Sequence, residues 1–377
     1  MFDPSLLQKK METMRSQSTL RHLPTSSQPP VNFASNDYLD LARHPALAEA
    51  CAQAARRWGT GSTGSRLLTG SPAIFEETEQ FLASWKGSEA ALLFNTGYAA
   101  NLALVDALSQ GKYPIFLDRL DHASIYDGAR LSGAPLHRFR HNDPEDLEHL
   151  LQRYPGPGWI FTESVFSMDG DLAPLDAYAE LAQRYDVGLV VDEAHAEGVF
   201  GPGGRGRVHE LGLQHQVDVV MGTLGKALGC AGACVWASHV VVDWLVNRAR
   251  SFIYSTAQSP VVVASVARAI ALLDEEPWRR THVLNLAQHL RALLRDQGFN
   301  TLNSASQIVP VVLGESVIAL QASAWLAQRG FWVSAIREPT VPKGSARLRM
   351  NLTAGHCEEQ VKALVAALVQ WREASLS

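Results

Sequence analysis

Seven short apolar runs, most of them separated by amphipathic helical patterns, mark this chain as an α/β protein built on a mainly parallel sheet with helices on both faces. The run Val217 to Thr223 is β-branched and apolar without polar alternation, the pattern of a strand buried on both faces. Several runs end in Asp, Asn or Thr followed by a turn, so polar side chains collect at the carboxyl edge, where such sheets bind ligands.

Taken in order, residues 1–30 hold a possible first helix and then a turn-rich Pro24 to Pro30 segment that cannot continue it. Val31 to Leu39 reads as a short extended piece, and residues 1–44 as an arm rather than a domain. A helix is expected from Pro45 to Trp58, then a glycine-rich loop from Gly59 to Gly70, then a helix from Ile74 to Trp85. A loop of that kind is either a mobile connection or a ligand wall. The seven strands are expected at 90–95, 114–117, 136–139, 159–162, 187–192, 217–223 and 231–237. Periodic segments at 261–273 and 278–295 read as helices leading out of this large domain, which spans 45–280. Residues 281–377 read as a smaller α/β domain, with strands at 308–313, 332–336 and 347–352 alternating with helices at 316–329 and 358–372.

A chain of 377 residues has length enough for a full core and for two domains. Its net charge of −5 provides no basic field for nucleic acid or anionic lipid. No apolar run approaches the ~20 residues of a membrane span, and no signal-like segment opens the chain. Cys51, Cys230, Cys234 and Cys357 follow no metal or disulfide spacing, which points to reduced thiols and the cytoplasm.

The chemistry gathers where the strands end. Lys226 lies in a loop punctuated by Gly222, Gly225 and Gly229 after the Val217 run, while Asp192 and His195 follow the run from Val187. A loop lysine alone is ordinarily a solvated one. Delivered with a carboxylate and an imidazole to one sheet edge, it becomes the protein's half of pyridoxal phosphate (PLP) chemistry: an amine for a Schiff base and an aspartate for a pyridinium nitrogen. Thr96, Gly97 and Tyr98 follow a strand and open a helix, which is either an ordinary turn or an anion site for a phosphate. His122 comes at the end of the next strand. Two Gly-x-Gly-x-x-Gly spellings, at Gly59 and Gly201, fail as dinucleotide fingerprints because neither joins a strand directly to a helix. Asp192-Glu-Ala-His195 spells a helicase box, but no phosphate loop accompanies it.

With Phe33 to Leu39, the 59–70 loop, Thr96 to Asn101, Asp121 to Ser124, Arg140 to Asp143, Thr162 to Asp171, Val191 to His195, Thr223 to Lys226, Ile253 to Thr256 and Ala346 to His356 in place, the chain resembles the α-oxoamine synthases, fold-type I PLP enzymes. The likeness runs from about Val31 to the last helix. It departs from the family pattern at Asp40, where glycine is frequent, and at Glu197-Gly198, where a pair of small residues is usual. The resemblance implies that Lys226 carries the cofactor and that Asp192 pairs with its ring nitrogen. It implies that His122 stacks on the ring, that His195 and Ser167 bond its polar groups, and that Thr96, Gly97, Tyr98 and Thr223 surround its phosphate. Arg349, with Asn36 near it, would clamp an amino acid's carboxylate. The implied reaction is a decarboxylative condensation of L-alanine with a pimeloyl thioester, on coenzyme A or acyl carrier protein; sister activities with glycine and a short acyl-CoA share most of these motifs. A cofactor-binding regulator with a dead site is the non-enzymatic alternative. The resemblance also implies a homodimer in which Ser255 and Thr256, on a segment from Ser251 read as extended, donate to the partner's cofactor phosphate. Otherwise Thr256 would cap the next helix.

Overall fold

A computed structural model describes residues 4–23 and 30–376, so most of the Pro24 to Pro30 segment lies outside the described residues. The chain divides into two units. One comprises the described parts of residues 1–36 with 168–171 and 282–377; the other comprises 37–167 and 172–281.

In the first unit, β1 (Val31–Asn32) pairs in parallel with β10 (Phe331–Trp332). Phe33 stacks on His356 with ring centroids 4.1 Å apart, and Asn351 N–H donates to the Phe33 carbonyl at 2.7 Å. These contacts explain why the amino-terminal stretch groups with the C-terminal part, instead of standing apart as the arm expected over 1–44. The expected strand at 332–336 divides in two at Val333, because Phe331–Trp332 serves β1 while β11 (Ser334–Ile336) joins an antiparallel sheet with β12 (Ala346–Asn351) and β9 (Ile308–Gly314).

The second unit holds the seven-stranded sheet, formed by β2 (Ala90–Phe94), β3 (Ile115–Asp118), β4 (Leu136–Phe139), β5 (Trp159–Glu163), β6 (Gly188–Asp192), β7 (Val219–Thr223) and β8 (Ala233–Ala237) in the spatial order 2-8-7-6-5-3-4. Only β8 runs against the rest, so the carboxyl ends of the other six share one edge. The central strands are buried along almost their whole length, as unalternating apolar runs require. The helix Gly97–Ser109 packs on them through Ala100, Ala103, Leu104 and Leu108. Each buried leucine or valine of this kind contributes roughly 1.5–3 kcal/mol.

The Gly59 to Gly70 loop is pinned rather than loose. Ser65 and Thr256 form an isolated antiparallel bridge, Ala257 N–H donates to the Gly64 carbonyl at 2.9 Å, and Arg66 grips Glu79 with two bonds of 2.8 and 2.9 Å. The segment from Ser251, expected to be extended, instead begins in a short helix, Arg250–Ile253, whose Ser251 hydroxyl donates to the Ala99 carbonyl at 2.6 Å. Nor does Thr256 cap the following helix Pro260–Glu275; Ser259 does, accepting from Val261 N–H at 3.2 Å.

Candidate functional site

At the carboxyl edge of the sheet, β6 ends at Asp192 and turns at once, and Glu193 N–H bonds the Met221 carbonyl of β7 at 2.7 Å. The turn sends its polar side chains to two opposite sides. Asp192 and His195 face the ligand edge, while Glu193 and Glu197 face Lys86. The loop after β7 carries Lys226, half-buried, with its Nζ 2.8 Å from His195 Nε2. Gly229 lets that loop fold back, since its φ of +63° is left-handed and a Cβ there would lie 2.4 Å from Ala42 N. Lys226, from the end of β7, is thus brought against His195, which like Asp192 follows β6.

Asp192 is 5% exposed, and both of its oxygens are anchored: Oδ1 accepts from Ala194 N–H at 2.8 Å and Oδ2 from the Asn101 side-chain amide at 2.8 Å. Asn101 also donates to Ser124 Oγ at 2.9 Å, joining the helix Gly97–Ser109 to the turn that starts at His122. His122 is the N-cap of the helix Ala123–Ser132, and its Nδ1 lies 2.7 Å from Ser124 Oγ. Burial lowers its pKa below the ordinary histidine range, partly offset by Asp192, and Lys226 pushes it the same way as burial, so the ring stays neutral and apolar-faced.

Next to Asp192 in register on β5 is Glu163, fully buried. Its Oε2 accepts from Ser167 N–H at 3.2 Å, while Oε1 has no hydrogen-bond partner. Burial and the Asp192 charge raise its pKa well above the ordinary carboxylate range, and Asp121 is raised likewise by burial and by Asp118. A carboxyl whose pKa is raised in this way favours its neutral form beside Asp192.

Opposite this cluster, Thr96 is the N-cap of the helix Gly97–Ser109, with its hydroxyl oxygen accepting from Ala99 N–H at 3.0 Å. A Cβ on Gly97 would lie 2.6 Å from Thr223 Cγ2, so only glycine lets the helix start sit against the end of β7. Thr223 Oγ1 donates to the Ala194 carbonyl at 3.3 Å. Tyr98 is exposed, bonds Asp127, and sets its ring edge-on to His122 with centroids 6.3 Å apart. The first N–H groups of the helix face this corner with the positive end of its dipole, a setting for a dianion. The arrangement fits PLP: a helix start for a phosphate, an anchored carboxylate for a ring nitrogen, an amine against His195, and an orphaned buried oxygen on Glu163.

Of the other expected site residues, Ser167 is buried beside Glu163. Ser255 Oγ donates to the Ser251 carbonyl at 2.6 Å, and the Thr256 carbonyl accepts from Asn95 at 2.7 Å. Asn36 and Arg349 belong to the first unit, where Arg349 Nη1 donates to Asn36 Oδ1 at 3.1 Å. Sequence reasoning assigned no role to Tyr38, Asn101 or Glu163. All three lie inside motifs that carry the family resemblance, which was the available signal.

A model of the family "Aminotransferase class I and II" matches residues 28–368. The chain is 47% identical over 345 residues to the 8-amino-7-oxononanoate synthase of Alkalilimnicola ehrlichii, covering 90% of this chain and 88% of that one. Among solved structures it is similar to a serine palmitoyltransferase from S. paucimobilis with a bound PLP–myriocin aldimine, at a TM-score of 0.92 and 30% identity over 98% of each chain. It is also similar to the 8-amino-7-oxononanoate synthase of Francisella tularensis, at a TM-score of 0.81 and 27% identity, covering 94% of this chain and 100% of the other.

Proposed function

Since the chain belongs to the class I and II aminotransferase family and, within it, to the α-oxoamine synthases, PLP-dependent acyltransferases, we propose that it is an 8-amino-7-oxononanoate synthase. In this reading it joins L-alanine to a pimeloyl thioester, with loss of carbon dioxide, on the route to biotin. The observation that carries the reading is the pairing of Lys226 Nζ with His195 Nε2 at 2.8 Å beside an anchored Asp192, in a chain so similar to synthases of that name.

PLP, when bound, supplies an electron sink that stabilises negative charge at the amino acid's Cα. Asp192, held by Asn101 and Ala194 N–H, sits as the anion for the ring nitrogen. His122 offers a neutral ring face for stacking, and His195 and Ser167 meet the ring's polar groups. Thr96, Gly97, Tyr98 and Thr223 take the phosphate at the helix start. Lys226 would be the base at Nζ that removes the Cα proton and returns one later. Arg349, with Asn36, binds the amino acid's carboxylate, a task suited to a bidentate guanidinium. The working unit is a cytoplasmic homodimer in which Ser255 and Thr256 donate to the partner's cofactor phosphate. Among the described residues no helix is long and apolar enough to cross a membrane.

The test is an assay of the purified protein with L-alanine and either pimeloyl-CoA or pimeloyl-acyl carrier protein, with the aminoketone detected by mass. The expected result is turnover well above that with glycine and acetyl-CoA, glycine and succinyl-CoA, or serine and palmitoyl-CoA. Faster turnover with any of those pairs moves the protein to a sister activity.

A further inference from the structure

We propose that Tyr38 is a positioning residue that holds His195 with its Nε2–H aimed at Lys226 Nζ, and so favours the uncharged amine. The inference rests on the reading of Lys226 as the base. Tyr38 is completely buried, and its hydroxyl oxygen lies 2.6 Å from His195 Nδ1. On the other side of the same imidazole, Nε2 lies 2.8 Å from Lys226 Nζ. The rings of Tyr38 and His195 are tilted at 51° with centroids 6.0 Å apart, so the contact is made by the hydroxyl rather than by stacking.

A neutral imidazole carries one proton, and the bond made at one nitrogen decides the role of the other. A phenol O–H donating to Nδ1 leaves the proton on Nε2, which then donates to the lone pair of an uncharged amine. An ammonium on Lys226 would need Nε2 as an acceptor, in conflict with that tautomer. Tyr38 thus does for this pair what the third member of a catalytic triad does for its base, through tautomer and orientation. Among the titratable groups that also sense Lys226 are Glu163 at the end of β5 and His122 at the next helix start, and both also sense Asp192.

The measurement is the pH dependence of acylation of Lys226 by a small anhydride in the PLP-free protein, located by peptide mass. It requires neither substrate nor cofactor, so its outcome is separate from that of the substrate assay. Tyr38→Phe, which removes one oxygen, is expected to move the midpoint for Lys226 up by about half a unit to one unit, and to move the acid limb of kcat, which reports the substrate-bound enzyme, in the same direction. In a His195→Asn background the same change at Tyr38 should move nothing further. If Tyr38→Phe does not fold, replacing the eight tyrosines with 3-fluorotyrosine tests the same bond, because the more acidic hydroxyl is a stronger donor and should move the midpoint down. An unchanged midpoint in whichever protein is measured overturns the proposal, as does an equal shift with and without His195.

Discussion

Lys86 and Lys226 are reached by opposite sides of the same turn, yet their surroundings differ in kind. Lys86 ends the helix Ala73–Lys86, is 2% exposed, and is gripped by Glu197 at 2.6 Å, Glu193 at 3.0 Å and the Arg205 carbonyl at 2.8 Å, with the Trp236 ring 4.5 Å away. Its charge is locked: the two carboxylates raise its pKa against the opposing effect of burial. Lys226 is half-buried and meets an imidazole. An ammonium between carboxylates cannot give up its proton at ordinary pH, whereas an amine facing a tunable imidazole can. One turn, from Asp192 to Glu197, therefore builds a brace on one side and chemistry on the other.

The largest effect that would sharpen this contrast is at Lys226. Lys226→Ala is expected to lower turnover by about 10²–10⁴-fold or more, with the melting temperature essentially unchanged, as read by the product assay and by circular dichroism. A variant with near-normal rates would erase the functional half of the comparison.

Lys86→Met should do the reverse. It leaves two buried carboxyls without their cation, at a cost of about 3–5 kcal/mol in denaturant unfolding, while turnover per folded molecule stays within the same order of magnitude. Adding Glu193→Gln and Glu197→Gln should recover most of the loss. If turnover collapsed while stability held, the brace would have to be reassigned to the chemistry.

The smallest effect is a pH slope. One lysine neutralises only one of its two carboxylates, and Glu197 Oε1 has no hydrogen-bond partner. Burial, reinforced by Glu193, pushes the Glu197 pKa up to about 7 despite Lys86. The folded protein thus holds this proton more tightly than the unfolded chain, whose value is the ordinary ~4.3. The associated stability is fully present below the unfolded value and is lost as pH rises through about 7. Unfolding free energy should fall by roughly 1–3 kcal/mol between pH 5 and 8 on this account, and Glu197→Gln should flatten that slope. An equal slope in the variant would place the proton elsewhere.

The two lysines were also unequally legible. Lys226 announces itself through flanking glycines after a buried strand, and Asp192 and His195 through the strand beside it, because strand ends and glycine turns are local patterns. Lys86 falls one residue past the helix expected from Ile74 to Trp85 and carries no motif, and Glu197 stands out only as a departure from the family pattern. Nothing in the spacing joins two residues 111 positions apart, and their pairing explains the departure. The glycines around them follow the same logic: a Cβ on Gly206 would lie 2.0 Å from Glu193 Oε2, and one on Gly222 would lie 2.8 Å from Glu197 Oε2.

By itself the sequence determined the α/β class, the seven strands of the sheet within a residue or two of their ends, and the chemical types gathered at the carboxyl edge. Burial periodicity is written residue by residue, and a strand end needs only its neighbours. Tertiary structure alone decided that Val333 separates two strands serving different sheets, that Arg250–Ile253 is helical, and that Tyr38 backs His195 across 157 residues. It also decided that Glu163 is buried next to Asp192 in register, where burial and that neighbour raise its pKa. Such assignments depend on which polar atoms meet inside a low-dielectric interior, where desolvation must be offset by a specific partner; that meeting is a property of the folded arrangement and leaves no periodic trace in the chain.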